Sequence, residues 1–345
     1  MGINLNCDCN KGGGDVYINT TRLKGLDNKY NEDDTKKIIL IQSVYKGYIF
    51  REHLKENIKF QLLKKATNMS SNNSLKYNYV RKLDINTILE KYPMIEQFKN
   101  MNLILKPPYE FPNKRQIYFG EWKGEERYGR GVQQWLDGSR YEGYFIDGKA
   151  NIKGKLFHSN GDTYDGEWKN NKANGYGIYL HVGGEYYDGQ WKDDKQDGKG
   201  KETWIDGSSY EGEYNSGKRH GKGIFKWPDG SEYEGDFVNN MFNGKGKYTW
   251  SDKREYIGEW EANQMNGYGI FKWPDGRKYQ GDYKRDKKEG YGLFYWPDGR
   301  IFKGFWSNGK QHGEGEFYDP KKNNWKKGIW ENGKNIKFYE DHSNG

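Results

Sequence analysis

The chain has 345 residues, of which 33 % are hydrophobic and 31 % charged, with a formal net charge of +8. Aromatic residues supply about half of the hydrophobic fraction and 47 residues are glycine, which disfavours a thick aliphatic core and favours rings buried over glycines. The two cysteines, Cys7 and Cys9, lie within the first ten residues, so a disulfide framework and a zinc site are excluded and a reducing, cytosolic setting is indicated.

The first residues form a pattern for lipid attachment. Removal of the initiator methionine would leave Gly2 for a myristoyl chain, and Cys7 and Cys9 are available for palmitate. One myristoyl chain binds a membrane only marginally, whereas a second acyl chain makes the anchor stable. Asn6 departs from the motif, which prefers Ser or Thr there. We predict acylation at these three sites on a flexible tether over residues 1–33; the alternative is that the CxC pair is incidental.

A helical pattern follows over residues 34–66. Within it, the run Ile41-Gln-Ser-Val-Tyr-Lys-Gly-Tyr-Ile-Phe-Arg51 resembles the IQ motif, I-Q-x-x-x-R-G-x-x-x-R, with lysine at the first basic position. The resemblance implies a helix that binds calmodulin or another EF-hand protein, often in the calcium-free form. The residues that it assigns to this binding are Ile41, Gln42, Lys46, Gly47 and Arg51. The alternative is a basic amphipathic helix that packs on the repeat segment described below or on lipid.

Residues 67–115 are predicted to form a linker and a helical cap. The linker is rich in Ser and Asn, and Leu83–Leu105 has a helical pattern that is broken at Pro93. Three further prolines, which stop any helix before the next segment, are Pro107, Pro108 and Pro112. We expect the cap to pack over the first unit of the segment that follows and to shield its open edge, since an open edge invites aggregation.

From residue 116 to residue 335 one pattern recurs every 23 residues. The nine glycines that keep this register are Gly120, Gly143, Gly166, Gly189, Gly212, Gly235, Gly258, Gly281 and Gly304. An aromatic ring stands two places before each glycine and another two places after it, as Tyr164 and Trp168 do around Gly166. Such a period indicates one supersecondary unit stacked many times, and stacked arrays mostly form surfaces for binding.

Each repeat is predicted to be a β-hairpin, as in Asp162–Gly184. In a strand, residues two apart lie on the same face, so the first strand has Tyr164, Gly166 and Trp168 on one face. The polar stretch Lys169–Asn174 favours a reversal. A second strand then aligns Gly175, Gly177 and Tyr179. Glycine inside a strand lowers stability, and its recurrence is explained if the missing side chain lets a ring lie flat against the backbone.

The burial and the turns agree with this interpretation. A ring that lies over glycine buries on the order of 150–250 Å², which offsets a glycine cost of roughly 0.5–1 kcal/mol. Three later repeats turn through Trp-Pro-Asp-Gly, in which proline presets φ and glycine supplies a positive φ; these turns lie at 227–230, 273–276 and 296–299.

These residues resemble the MORN repeat (membrane occupation and recognition nexus), with the pattern Y-x-G-x-W-x-x-G-K-x-x-G-x-G and a later D-G. Tyr210–Gly223 is a near-consensus copy. The resemblance covers residues 116–335 and implies a mostly β fold. That fold is an elongated, single-layer antiparallel β-hairpin solenoid of nine repeats, preceded by a short α-helical N-terminal region.

The pattern has two departures and a distinct end. Ile152 replaces the first glycine of the G-x-G pair in the second repeat, and Lys253 replaces the glycine after Asp252. Trp325–Lys334 resembles a half-repeat shifted by one residue, which suits the capping repeat that such arrays need. A tail over residues 336–345 follows.

No catalytic set is evident in the sequence. The six histidines are scattered, and His158 and His181 occupy the place that Trp holds in later repeats. The G-x-G pairs belong to the repeat register and not to a nucleotide-binding loop. We therefore predict no enzymatic activity, no cofactor and no metal. Nucleic-acid binding is disfavoured as well, because the rings are needed by the fold and acidic residues alternate with basic ones.

The predicted function is a non-enzymatic scaffold at the cytoplasmic face of a membrane, or in the cortical cytoskeleton or a cilium. Its array would dock a cytoskeletal or ciliary protein, as the resemblance to MORN proteins implies, and the IQ-like helix would recruit calmodulin. Self-association into a homodimer is a further expectation from the resemblance.

The alternative is that the array itself is a phospholipid sensor whose lysines meet phosphoinositide or other anionic headgroups. Such binding would weaken steeply with salt. Interleaved acidic residues argue against a strongly basic face, among them Asp165, Glu167, Glu211 and Glu213.

Overall fold

The structure is a computed structural model that describes residues 80, 82–112 and 114–339. Two short helices come first, α1 (Ile85–Lys91) and α2 (Glu96–Lys99). Asp84 caps α1 by accepting a hydrogen bond from the backbone N–H of Asn86 at 3.0 Å. The predicted break at Pro93 is confirmed, because one helix ends at Lys91 and the next begins at Glu96. The residue before a proline disfavours the helical region, which explains the break. The helical pattern ends earlier than predicted, since a strand begins at Ile104.

In the described part of the chain 21 strands follow the helices. They are β1 (Ile104–Phe111), β2 (Gln116–Lys123), β3 (Glu126–Trp135), β4 (Arg140–Ile146), β5 (Lys149–Phe157), β6 (Thr163–Lys169), β7 (Lys172–Leu180), β8 (Tyr186–Lys192), β9 (Lys195–Thr203), β10 (Ser209–Asn215), β11 (Lys218–Lys226), β12 (Glu232–Val238), β13 (Met241–Thr249), β14 (Glu255–Glu261), β15 (Gln264–Lys272), β16 (Lys278–Lys284), β17 (Lys287–Tyr295), β18 (Ile301–Ser307), β19 (Lys310–Asp319), β20 (Asn324–Glu331) and β21 (Lys334–Phe338).

The chain divides into two compact units. Unit 1 runs to Tyr186 and includes Trp191–Asp194, and unit 2 holds Tyr187–Gln190 and the chain from Lys195 onward. Within unit 1, strands β1 to β7 pair antiparallel in sequence order. Within unit 2, strands β9 to β21 do the same. The predicted class, an open antiparallel sheet of β-hairpins, is therefore confirmed.

The hairpin of β6 and β7 shows how a repeat is built. Asn170 and Asn171 form a two-residue turn with φ of 52° and 68°, the left-handed pair that a type I′ turn requires. The reversal predicted over six residues is thus confirmed but tighter. The strand register shifts between Gly166 and Trp168, so the hairpin contains a β-bulge.

The bulge gives the two glycines of the G-x-G pair different roles. Gly175 lies at the bulge with φ of 91°, and a side chain built there would collide with Glu167. A side chain built on Gly177 would instead collide with the ring of Tyr164. The prediction that both glycines share one face is wrong, because the second strand carries two extra residues at the bulge and the positive φ of Gly175 breaks the alternation.

Within each unit the tyrosines lie along one face of the sheet, which we call the ladder face. Tyr164 is fully buried against Gly166 and Gly177, and its hydroxyl donates to the carbonyl of Glu167 at 2.9 Å. Its ring meets that of Trp168 edge to face at a centroid distance of 5.1 Å. The same contact recurs in unit 2, for example between Tyr256 and Trp260 at 5.0 Å. The predicted packing of rings on glycine is confirmed.

The two residues that depart from the repeat pattern keep the backbone of the standard repeat, and the last hairpin of the array is the predicted half-repeat. Ile152 and Lys253 both adopt the left-handed conformation of the glycines that they replace, with φ of 65° and 70°. The predicted terminal half-repeat is the β20–β21 hairpin, which turns at Asn332 and Gly333. No helix within the described residues has the length and apolar character needed to cross a membrane.

Candidate docking surface

The site residues predicted from the sequence lie outside the described residues. These are the acylation sites Gly2, Cys7 and Cys9 and the calmodulin-binding residues Ile41, Gln42, Lys46, Gly47 and Arg51. The predicted acylation and calmodulin binding therefore stay predictions. The described surface that differs between repeats is the face of the sheet turned away from the tyrosines, which we call the opposite face.

Acidic side chains recur on the opposite face for a structural reason. In six of the nine repeats, the residue after the glycine of the 23-residue register carries a carboxylate that lies over the bulge glycine. Two of these carboxylates are seen to accept a backbone N–H. Asp236 accepts from Lys245 at 2.9 Å, and Glu121 accepts from Arg130 at 2.7 Å. Charge-assisted bonds of this kind satisfy a donor that the bulge leaves outside the strand ladder. These acids are thus fold positions.

Lysines on the same face pair with neighbouring acids. In unit 2, Lys247 lies 2.6 Å from Glu255 and Lys303 lies 2.6 Å from Glu316. The hydrogen bond from Lys247 lowers the pKa of Glu255 below its ordinary value. Exposed pairs contribute little to stability, but they alternate the sign of the surface charge and prevent a uniformly basic face.

In unit 1 the opposite face carries apolar side chains that the two helices cover. Phe98 of α2 is 1 % exposed, and its ring meets Tyr128 edge to face at 5.5 Å. Ile88, Ile117 and Val132 complete this core together with further residues of the helices and of β2 to β4. The predicted cap therefore packs on a face of the sheet, while β1 takes the edge position beside β2.

Polar contacts fix the helices on this face. Arg130, held by Glu121 at 2.6 Å, donates to the carbonyls of Leu89 and Tyr92 at the C-terminal end of α1. The last carbonyls of a helix are left by its own hydrogen bonds for other donors, and Arg130 supplies donors at this end. The hydroxyl of Tyr144 donates to the carbonyl of Pro93 at 2.6 Å.

The cap also explains the departure at Ile152. Tyr144 stands where six other repeats carry the acid over the bulge, and Ile152 stands where the other repeats carry glycine. Both side chains pack against the apolar cluster beneath the helices. An apolar pair therefore replaces the acid and glycine at the place where the helices need a hydrophobic surface.

In unit 2 the opposite face carries aromatic side chains that no described segment covers. Tyr268, Tyr291 and Phe305 are 47, 45 and 51 % exposed. Tyr291 and Phe305 are cross-strand partners on β17 and β18, with ring centroids 5.7 Å apart and an interplanar angle of 78°. Half-buried Ile270 and Leu293 lie in the next row of the same face. We call these five residues the aromatic patch.

The patch is not among the residues predicted from the sequence. Its signal appears when repeats are aligned by their period, since the places of Tyr268 and Tyr291 hold Lys199, Lys222 and Lys245 in three other repeats. Rings that replace lysines on an exposed face are unexplained by the fold. Exposed apolar patches of this kind mark interaction sites.

The hairpins and the glycine-backed rings define a β-hairpin repeat protein. The family model for the MORN repeat matches nine segments that together make up more than half of the chain: 118–140, 141–163, 164–185, 187–209, 210–232, 233–253, 256–276, 279–299 and 302–323. The chain belongs to the MORN-repeat family. The predicted family and the nine repeats are confirmed.

Comparison with curated protein sequences finds no match. Among solved structures, the TCP10 domain of Danio rerio CPAP is 13 % identical, with 59 % of this chain and 96 % of that chain covered and a TM-score of 0.33. The TCP10c domain of Drosophila melanogaster Sas-4 is 14 % identical, with 45 % and 93 % covered and a TM-score of 0.27. Neither structure is similar enough to indicate a function for this chain.

Proposed function

We propose that this MORN-repeat protein is a non-enzymatic scaffold and that the aromatic patch docks an amphipathic helix of a protein partner. The observation that supports this is the exposed pair of Tyr291 and Phe305, which meet edge to face on adjacent strands. Aromatic residues are enriched in the cores of protein interfaces and at their hot spots. The ladder face, by contrast, is filled by its own rings.

The choice of a helix as the occupant rests on unit 1. There the same face of the same kind of hairpin binds two helices through apolar anchors, among them Phe98 on Tyr128. The aromatic patch offers unit 2 a comparable set of rings and aliphatic side chains. A helix with apolar residues three and four apart fits such a surface.

A phospholipid-sensing array is the weaker alternative. The lysines around the patch are paired, as in Lys303 with Glu316 and Lys247 with Glu255, so a large positive field is not built there. We propose instead that membrane contact comes from the acylated N-terminus, with Gly2, Cys7 and Cys9 as attachment sites. This places the scaffold at the cytoplasmic face of a membrane, or in the cortical cytoskeleton or a cilium.

The remaining parts of the proposal rest on the sequence. The IQ-like segment Ile41–Arg51 recruits calmodulin or another EF-hand protein, and the docked partner is a cytoskeletal or ciliary protein. A homodimer through the arrays belongs to the same proposal. Retention of the full chain on immobilised calmodulin, lost on Ile41→Ala with Gln42→Ala, tests the first part; unchanged retention of that variant contradicts it.

Proximity labelling with the full chain in its native cell tests the docking surface. We expect Tyr291→Ser with Phe305→Ser to lose a subset of the labelled proteins, because the hot-spot rings are gone. Tyr176→Ser, which removes a similarly exposed tyrosine (51 %) from unit 1, is the matched control and should keep that subset. If the double variant labels the same proteins as the wild type, the patch is not a docking surface.

Vesicle binding separates the lipid alternative from the anchored scaffold. The full chain with Gly2→Ala, Cys7→Ser and Cys9→Ser should not sediment with anionic vesicles and should leave the membrane fraction of cells. Salt-sensitive sedimentation of this variant would favour a lipid-sensing array. Unchanged localisation in cells would contradict the anchoring role of the three sites.

A further inference from the structure

Lys288 lies on the ladder face of unit 2 inside a cage of aromatic rings. Its ammonium nitrogen is 5.1 Å from the ring centroids of Trp273 and Tyr279, 5.0 Å from Phe294 and 4.9 Å from Trp306. Three of these rings are almost fully buried, and Trp273 is half-buried. A cation that is surrounded by ring faces is attracted to their quadrupoles, and cages of this kind hold methylated ammonium groups.

Among the described residues, the ammonium has rings around it but no hydrogen-bond acceptor. Its group carries three N–H donors, and the described residues provide it with neither an ion pair nor a hydrogen bond. The arginines at the equivalent place in other repeats differ in this respect. Arg127 donates to Gln133 and to the carbonyl of Gly148, and Arg219 donates to Asn240.

Other repeats show that the place also accepts apolar bulk. In the sixth repeat Phe242 occupies it and stacks on Tyr233 at a centroid distance of 3.8 Å, with Trp227 and Trp260 also in contact. The cage geometry therefore suits a group that is positively charged, apolar at its surface and free of unsatisfied donors.

We propose that Lys288 is a methylation site and that the cage formed by Trp273, Tyr279, Phe294 and Trp306 retains its methylated ammonium. Methylation keeps the positive charge while it removes N–H donors that have no acceptor here. Acetylation would instead remove the charge and with it the attraction to the rings.

The chemistry requires a methyl sulfonium donor and a neutral amine. The ammonium first releases one proton to solvent. The neutral amine nitrogen then attacks the methyl carbon, a C–N bond forms, the C–S bond breaks, the thioether leaves with the electron pair and the methylated nitrogen carries the positive charge. Burial, with the like charge of Arg277 as a smaller contribution, lowers the pKa of Lys288 to about 8. At pH 7.4 about one fifth of such a group is the free amine, compared with about a thousandth for an ordinary lysine.

Peptide mass spectrometry of the protein isolated from its native cells tests the modification directly. We expect one or more methyl groups on Lys288 and none on its neighbour Lys287, which is exposed. Full occupancy of Lys288 by the unmodified lysine would overturn the proposal.

Reductive dimethylation of the full chain with ¹³C-formaldehyde and a borane tests the cage. We expect the dimethyl signal of Lys288, identified by its loss in Lys288→Arg, to lie upfield of the exposed lysines because ring currents shield it. A signal that coincides with that of Lys287 would show that the cage does not hold the group.

The same samples give a stability readout. Arginine is native at this place in two other repeats, so Lys288→Arg is expected to fold. Dimethylation should raise the Tm of the wild type by about 2–4 °C relative to its effect on Lys288→Arg, and acetylation should lower it. Equal effects of the two reagents, or no difference between the two proteins, would overturn retention by the cage.

Discussion

The opposite faces of unit 1 and unit 2 start from the same hairpin and end in different surfaces. In unit 1, Ile117 and Val132 lie beneath two helices, whereas Tyr291 and Phe305 of unit 2 stand exposed. The ladder face is alike in both units, with each tyrosine buried on glycine and bonded to a carbonyl three residues on. The ladder face therefore carries the stability common to all repeats, while the opposite face gives each region its own contacts.

The largest expected effect separates the covered face from the exposed one. Phe98→Ala should lower the free energy of unfolding by about 3 kcal/mol, because it empties a buried site under the cap. Phe305→Ala, at an exposed site, should change it by less than about 0.5 kcal/mol. Denaturant unfolding followed by hydrogen exchange of unit 1 and unit 2 peptides measures both. Equal losses would mean that the exposed patch is part of a core.

A second prediction concerns the ladder that the two units share. Tyr141→Phe in unit 1 and Tyr256→Phe in unit 2 each remove a hydroxyl that donates to a carbonyl, of Tyr144 at 3.1 Å and Glu259 at 2.9 Å. Each should cost about 1 kcal/mol, as measured by urea unfolding. A cost confined to one unit would contradict a common ladder.

A third prediction compares the two residues that replace positive-φ glycines. Lys253→Gly should stabilise unit 2 by about 0.5–1 kcal/mol, because it relieves a left-handed backbone and loses only an exposed side chain. Ile152→Gly relieves the same conformation but loses packing beneath the helices, so its net effect should be zero or destabilising. Thermal unfolding of both variants checks this; stabilisation by Ile152→Gly would show that the apolar contact is unimportant.

The smallest predicted effect is a pH dependence confined to unit 1. Burial lowers the pKa of His158 in the folded state, and its Nε2 has no hydrogen-bond partner. The unfolded chain therefore binds a proton more readily, so the stability of unit 1 should fall as pH drops below about 6.5. His158→Trp, which restores the residue of later repeats, should remove this fall. If the slope of Tm against pH between 7 and 5 is the same in His158→Trp as in the wild type, the prediction is wrong.

The neighbouring carboxylate acts in a lower pH range and serves as an internal reference. Burial would raise the pKa of Asp162, but hydrogen bonds from His181, Val182 and Tyr179 hold it well below the usual range. Its contribution to stability is present at neutral pH and is lost only below about pH 4. A melting series extended below about pH 4 should show this second fall in both the wild type and His158→Trp.

The repeat fold was predictable because its signal is local and repeated. Spacing by two around Gly166 predicts the strand, and the ring on glycine predicts the close approach that the structure confirms. The bulge at Gly175 was missed, since a period of 23 residues does not reveal which residues of each hairpin lie outside the strand pairing. Strand β1 was missed because Pro107 and Pro108 disfavour a strand, and they are tolerated here at an edge.

The candidate docking surface was less accessible to prediction. Whether Tyr291 is buried or exposed depends on what covers the opposite face, and a hairpin pattern does not contain that information. The helices show the same limit, because their pattern predicted a cap but not that Phe98 would pack on the face of the sheet.

The carboxylate that rests over the bulge glycine has a consequence for how such arrays evolve. A side chain introduced at the glycine would strike the carboxylate, whereas replacing the carboxylate leaves the glycine undisturbed. At Phe305 the carboxylate has been replaced while Gly313 is retained. At Tyr144 and Ile152 both the carboxylate and the glycine have been replaced. New surfaces on a duplicated hairpin are therefore expected to arise in a fixed order, with the acid lost before the glycine.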